Sequence, residues 1–368
     1  MGPGRRAAPA GISRMMLARL RQNLLAWYRA HARPLPWRDR PDPYRVLVSE
    51  MMLQQTRAGA VMPYYRRFVA RFPDVVALAA APLDDVLAAW SGLGYYRRAR
   101  QVHAAARQIV DRHGGELPRD PTAIRELPGV GPYTAGALRS IAFGEPEPVV
   151  DGNVARVLAR LLAIAGDPRA ARVRRLLWDA AGTLLDPRHA GDFNQALMEL
   201  GATLCAPVHP DCPRCPWRGD CRARREGRQA ELPSPSPRPR TRAVQAAAVA
   251  CGRGGKWLLV RRSGRLLGGM WELPGDGQGN DPERLAMALR RQHRLHAEIG
   301  ERIGEVRHAI LDRRIRLVVY RGTLVRPPRE TARGTGWRWV RPGRALAGEV
   351  PLSAAGRKAL RLLAESRR

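Results

Sequence analysis

The stretch "CAPVHPDCPRCPWRGDC", residues 205–221, is where the fold of this chain is decided. It gathers four of the five cysteines, Cys205, Cys212, Cys215 and Cys221, at spacings of six, two and five intervening residues. Thiols this close together in a Pro- and Arg-rich segment do not read as core packing. Four thiolates suit either a structural zinc ion or an iron-sulfur cluster. Zinc ribbons usually pair their ligands as two short C-x2-4-C units, and only one such unit exists here. Spacing alone therefore leans toward iron-sulfur and leaves zinc open. Cys251 lies outside the group and reads as a core residue.

Upstream of this stretch, residues 15–225 carry apolar side chains at three-to-four spacing, as in "MMLARLRQNLLAWYRAH", "NVARVLARLLAIAG" and "FNQALMELGATLC". Gly and Pro punctuate these runs at helix-length intervals. An all-α domain is expected there, after a disordered tail over residues 1–14. Downstream, residues 226–242, "EGRQAELPSPSPRPRTR", read as an extended connector. Residues 243–368 then mix strand patterns such as "KWLLVRR" and "RIRLVVYRGTL" with helical ones, so an α+β domain is expected.

Charge narrows the partner. The chain has 64 Lys+Arg against 33 Asp+Glu, a net +31 spread along its 368 residues, which marks a polyanion and above all nucleic acid. Almost all of this charge is Arg: the lysines are Lys256 and Lys358, so residues 1–255 offer no side-chain amine. The longest stretch without a charged residue, 127–138, is too short and too rich in Gly and Pro to span a bilayer. The N-terminal segment lacks the apolar core of an export signal. An intracellular, cytoplasmic protein without disulfides is expected.

The C-x6-C-x2-C-x5-C pattern resembles the four-iron four-sulfur loop of the endonuclease III and MutY group of DNA glycosylases. Other stretches agree in order over residues 20–225. "LPGVGPYTAGA" (127–137) resembles the helix-hairpin-helix of that superfamily, "LPWR" with "SEMMLQQT" resembles a MutY segment, and "GLGYYRRARQ" and "DGNVARVLAR" match as well. The resemblance implies one 4Fe-4S cluster held by the four cysteines. It also implies double-stranded DNA as partner, engaged by a monomer that swings its target base out of the stack.

Breaking an N-glycosidic bond to a purine calls for a proton on the departing base and a negative group beneath the sugar cation. Glu50 sits amid apolar residues in "VLVSEMML"; an exposed helical Glu is the commoner reading of such a position, but the resemblance makes it the catalytic acid. Asp151 before "GNVARVLARLL" reads as a helix N-cap, which favours an ionised carboxylate. By resemblance it stabilises the sugar cation, with Asn153 positioning the reacting groups. Tyr133 stands where strand-cutting relatives place a Schiff-base lysine, which implies hydrolysis without a lyase step. Gly129, Val130 and Gly131 form the hairpin turn whose backbone N–H groups suit a phosphate. Gln55 and Tyr95 resemble the residues that wedge into the duplex, and the resemblance puts Arg38 near the adenine pocket. Arg97, Arg98 and Arg100 suit phosphate contacts or a solvated face equally.

The second half resembles the Nudix-type domain of MutY proteins through "WLLVRRSGRLLGGMWELPG" (257–275). It lacks the acidic helix that holds metal in working Nudix hydrolases, so a recognition module is expected. Where that family reads 8-oxoguanine through H-x-F-S-H or H-x-I-T-H, this chain has "HAILD", 308–312. His308 keeps the pattern, while Leu311 and Asp312 replace the hydroxyl and the second His, which implies weaker 8-oxoguanine selectivity. The expected function is excision of adenine mispaired with 8-oxoguanine or guanine in base-excision repair. The alternatives are a pyrimidine glycosylase and lyase of endonuclease III type, or a non-catalytic iron-sulfur DNA-binding protein.

Overall fold

The structure, a computed structural model, describes residues 12–39, 42–234, 241–263, 267–276, 279, 281–310, 312–325 and 336–365. Most of the expected 1–14 tail, part of the 226–242 connector and Leu311 lie outside the described residues. Contacts divide the chain into two compact units. The first is Met1–Val69, Asp74–Val76 and Ala104–Pro237, and the second is Ala70–Pro73, Ala77–His103 and Arg238–Arg368.

The first unit is helical. The helix Arg14–His31 starts at Ser13, whose hydroxyl accepts from Met16 N at 3.2 Å, and buries Leu20, Leu24, Leu25 and Tyr28 along one stripe. Pro43–Leu53 starts at Asp42, which accepts from Arg45 N at 2.9 Å, with Pro at its first turn. Gly152–Leu162 and Ala190–Thr203 cross closely. A Cβ on Gly201 would come within 2.7 Å of Asn153 Cβ and 2.9 Å of Asn153 O, so only glycine permits that approach. Leu20, Leu158, Leu177, Phe193 and Leu197 share a core with Trp217 from the cysteine stretch. The Trp217 indole, 2% exposed, donates to Leu20 O at 2.9 Å and pins that stretch to the first helix.

The second unit is built on a seven-stranded mixed sheet. Its strands are β1 (Arg242–Arg253), β2 (Lys256–Arg261), β3 (Trp271–Glu272), β4 (Gly275–Asp276), β5 (Ala297–Ile310), β6 (Arg313–Leu324) and β7 (Trp337–Val340). The path runs β3-β2-β1-β6-β5, with β4 on β1 and β7 on β2. The β1–β6 pair is parallel and the other pairs are antiparallel. Leu285 of Pro282–Ala288 packs with Ala247, Val249 and Val260, and Leu360 and Leu363 of Ala354–Glu365 pack with Ala250, Leu259 and Val319. These two groups are the successive-residue faces of one sheet.

The expected order, helices and then a mixed α+β part, is the one observed. No compositional signal marks that residues 77–103 sort with the sheet. There, Ser91 Oγ and Tyr96 Oη donate to Leu352 O at 3.3 and 3.1 Å, and Arg357 donates to Ser91 Oγ at 2.8 Å. Arg261 pairs with Asp84 at 2.6 Å.

Candidate active site and cysteine loop

A cleft of about 1280 Å³ opens in the first unit, and most of the sequence-predicted residues line it: Glu50, Gln55, Tyr133, Asp151, Asn153 and Arg38, with Gly129 and Gly131 at its margin. Val130, between those glycines, is instead buried. Tyr95 and His308 belong to the second unit.

Glu50 is placed by its helix. Every residue of Pro43–Leu53 from Val46 to Met52 is buried, so this helix is enclosed all round and Glu50 shares that burial at 4% exposure. Loss of water pushes its carboxyl up to about 7, nearby Asp151 adds to the rise, and hydrogen bonding from Tyr133 opposes it. Glu50 Oε2 has no hydrogen-bond partner among the described residues. The Tyr133 hydroxyl also lies 3.1 Å from Met198 Sδ, and burial together with the two carboxylates holds it well above the ordinary phenol range, so it stays a proton donor.

Asp151 caps Gly152–Leu162. Its Oδ1 accepts from Val154 N at 2.7 Å and its Oδ2 from Asn153 Nδ2 at 3.0 Å. These bonds and Arg156 favour the charged form, yet desolvation outweighs them and the carboxyl is raised overall. The N-cap therefore limits a cost of burial without lowering the carboxyl below its usual range, a difference from the sequence expectation. The Asn153 amide is oriented from its other side: Arg156 donates to Asn153 Oδ1 at 2.9 Å, to Gly201 O at 2.8 Å and to Cys205 O at 2.8 Å. A continuous run of bonds thus joins the Asp151 carboxylate to the start of the cysteine stretch.

Two further features, one in the cleft and one on the cysteine cavity, went unread in the sequence. Glu199, 1% exposed, accepts from Arg33 at 2.5 and 3.0 Å and from Arg38 at 2.9 Å. Its carboxyl is held below the usual range by those guanidinium bonds in spite of burial. Arg38 also lies over the Tyr28 ring at 5.3 Å, and its Nε has no partner among the described residues. No spacing rule could couple positions 33 and 199. Arg160 carried a clearer signal, being an Arg four residues after Arg156 within an otherwise apolar stripe. It is buried at 3% exposure and donates to Leu232 O, Ala206 O and Pro207 O at 2.9, 2.7 and 3.1 Å.

Gln55 and Tyr95 share a backbone feature that sequence did not reveal: both have positive φ, 56° and 48°. Such residues cost of order 1–3 kcal/mol each and concentrate where function requires them. Both are exposed, Tyr95 with Arg98 stacked on its ring at 4.7 Å. Arg98 is itself buried at 5% and lies over Trp90 at 5.9 Å, while Arg100 donates to Gly268 O. Of the three arginines read as phosphate contacts, Arg97 is the exposed one. Gly129 has a φ of 83°, which a side chain would resist, and Pro132 opens the helix Pro132–Ala137 behind it.

The four cysteines form no disulfide with one another and line one cavity of about 30 Å³, walled by Val157, Leu161, Leu200, Leu204 and Trp217. Arg160 Nη1 lies 3.4 Å from Cys205 Sγ. Among the described residues no three His, Cys, Asp or Glu side chains converge closely enough for a single metal ion. Burial pushes the Cys215 thiol up to about 12.

In the second unit, His308 lies within β5 opposite Ile315, and burial and Lys358 lower its imidazole below the ordinary range. The "HAILD" segment is the end of β5 and the two positions before β6. Asp312 O accepts from Arg242 N at 2.6 Å. Glu283 is the single acid of Pro282–Ala288, so the acidic helix is missing in the fold as in the sequence.

A helical unit with two carboxyls and a tyrosine in one cleft, beside a cysteine-lined cavity, has the build of a base-excision repair protein. Residues 48–182 match the HhH-GPD superfamily of base excision DNA repair proteins, and residues 246–362 match the NUDIX domain. The adenine DNA glycosylase of Rattus norvegicus is 48% identical over 225 residues, 58% of this chain and 44% of that protein. That of Arabidopsis thaliana is 39% identical over 298 residues, 70% of this chain and 47% of the relative. The chain thus spans about half the length of these curated relatives. A solved thermostable thymine-DNA glycosylase is 31% identical with a TM-score of 0.53, covering 57% of this chain and 97% of its own. The helical part of the chain belongs to the HhH-GPD superfamily of base excision DNA repair proteins, and its pairing with a Nudix-like domain behind it is of MutY type.

Proposed function

We propose that this chain is a monofunctional adenine DNA glycosylase that removes adenine mispaired with 8-oxoguanine or guanine in duplex DNA. The observation that carries the reading is Glu50, a buried carboxyl near 7 in the same cleft as Tyr133 and Asp151. A protonated Glu50 can deliver its proton to the departing purine at neutral pH. An ionised Asp151, fixed by Val154 N and Asn153, would supply the negative neighbour that a sugar cation needs. Tyr133 adds a hydroxyl to the pair. With no lysine before Lys256, the sugar is attacked by water and an abasic site remains. Gln55 and Tyr95 act on the opened duplex, and the hairpin at 129–131 anchors a phosphate.

Cys205, Cys212, Cys215 and Cys221 would hold one 4Fe-4S cluster. Four thiols on one cavity, with a single C-x2-C unit where zinc ribbons usually have two, support this reading over zinc. When bound, the cluster shapes the loop; Arg160 and Trp217 of the chain itself hold that loop in place. The likeness to a thymine-DNA glycosylase favours one competing reading, pyrimidine excision. Duplexes carrying A:8-oxoguanine, A:G, T:G or thymine glycol, incubated with the protein and then treated with alkali, separate the two. Strand breaks at adenine, lost in Glu50→Gln, are expected. Breaks at the pyrimidine, or breaks before alkali, would overturn the proposal.

A further inference from the structure

The turn 91–95 holds an exposed aromatic in a conformation that its own backbone resists. Gly92 and Gly94 have φ of 103° and 80°, which glycine adopts freely, but Tyr95 follows at 48° and is 44% exposed. A left-handed tyrosine persists only where its surroundings over-determine it. They do so here from the far end of the sequence. The Ser91 and Tyr96 hydroxyls both donate to Leu352 O, so one carbonyl receives the residues on either side of the turn. Gly92 N donates to Tyr96 Oη at 3.2 Å and the Trp90 indole to Gly94 O at 3.1 Å, which closes the turn on itself. Ser91, Tyr96 and Leu352 are buried, where breaking such a bond leaves a polar group unmet.

Arg357 completes the hold. It lies in the first turn of Ala354–Glu365, where the helix dipole disfavours a cation. Its guanidinium donates to Ser91 Oγ at 2.8 Å and to Leu346 O at 2.7 Å. With Ser91 Oγ accepting from Arg357, the single hydroxyl proton is directed at Leu352 O. We propose that Arg357 is a positioning residue for Tyr95, acting through Ser91 to keep the turn 91–95 in the shape that presents the ring. This rests on the reading of Tyr95 as a residue that acts on the opened duplex. It goes beyond that reading, because it gives a helix of the Nudix-like part a task in duplex opening that requires no contact with DNA.

The test uses the full, cluster-loaded chain. Arg357→Met keeps the stem and removes the donors, Arg357→Lys keeps a donor, and Ser91→Ala removes the relay. Arg361→Met is the control at an exposed position of the same helix. In free protein, hydrogen exchange over residues 91–96 should be about tenfold faster in Arg357→Met and in Ser91→Ala, the weight of one hydrogen bond to a charged group. Arg357→Lys should restore it, and Arg361→Met should leave it unchanged. Duplex opening is read from 2-aminopurine set beside the adenine of an A:8-oxoguanine pair, in the Glu50→Gln background so that no base is released. Its fluorescence rise should fall in Arg357→Met and in Tyr95→Ala, and fall no further when the two are combined. Unchanged exchange over 91–96, or an Arg357→Met effect that persists in full on top of Tyr95→Ala, overturns the proposal. Faster exchange in a chain whose Tyr95→Ala variant opens the duplex as wild type does leaves the hold on the turn standing and refutes the reading of Tyr95 alone.

Discussion

Removing the acid of Glu50 tests the central physical claim through a quantity separate from turnover. Burial moves this carboxyl from 4.5 to about 7. That displacement is a cost of about 3 kcal/mol for holding the ionised form in the folded chain. Because the folded value lies above the unfolded one, the folded state binds the extra proton between them. Stability from this group is therefore complete below about pH 4.5 and is lost as pH rises through about 7. Glu50→Gln keeps the shape and cannot titrate. The difference in unfolding free energy between variant and wild type should thus shift in the variant's favour by about 3 kcal/mol from pH 4 to pH 8, several degrees of melting temperature. Whatever it costs to bury the glutamine amide is the same at each pH and cancels. In wild type the protonated fraction falls about tenfold between pH 6 and pH 8, and single-turnover excision should follow it. Thermal melts of both proteins across this range, beside excision rates, give the answer. A stability difference independent of pH would falsify the account of Glu50 as a desolvated acid.

Three other perturbations follow from the same geometry. Glu199→Gln leaves Arg33 and Arg38 without their shared buried carboxylate; a loss of about 3 kcal/mol is expected in urea unfolding, with Arg38 released from its place in the cleft. Gly201→Ala drives a methyl into Asn153, and a cost of about 1–3 kcal/mol should come with a fall in excision rate, since Asn153 holds Asp151; melting and single-turnover rates report the two effects. Cys212→Ser should abolish the visible absorbance of cluster-loaded protein and weaken duplex binding, because the loop then depends on Trp217 and Arg160 alone. Full absorbance in that variant would remove Cys212 from the ligand set.

Much of the site was legible because its chemistry is local. Glu50 and Asp151 each sit in a short stretch whose helix and cap could be read from the sequence, and the cysteines declare themselves by spacing. What the sequence hid is of two kinds. Glu199 with Arg33 and Arg38 is a contact across more than 160 positions, and no periodicity encodes which acid will face which guanidinium. Gln55 and Tyr95 could be picked out by resemblance to duplex-wedging residues, but their left-handed backbone could not, since neither is the glycine that would signal a positive φ. The same limit applies to Arg98 and Arg100. In sequence both are members of a basic run, and only the fold turns one against Trp90 and the other toward Gly268.

The half-buried Arg156 and buried Arg160 of Gly152–Leu162 also explain why a cysteine loop belongs beside this cleft. A guanidinium is costly to bury unless its donors are met, and Arg156 and Arg160 together make five hydrogen bonds to backbone carbonyls between Gly201 and Leu232. Those carbonyls are offered in the right place only while the loop keeps its shape. A distorted loop would withdraw acceptors from Arg156, free the amide of Asn153 to turn, and take from Asp151 one of the two side-chain contacts that fix it. The loop thus acts on the cleft through hydrogen-bond satisfaction. The requirement runs both ways, because a helix that lost Arg160 would leave Ala206, Pro207 and Leu232 without their donor and loosen the segment that carries the cysteines.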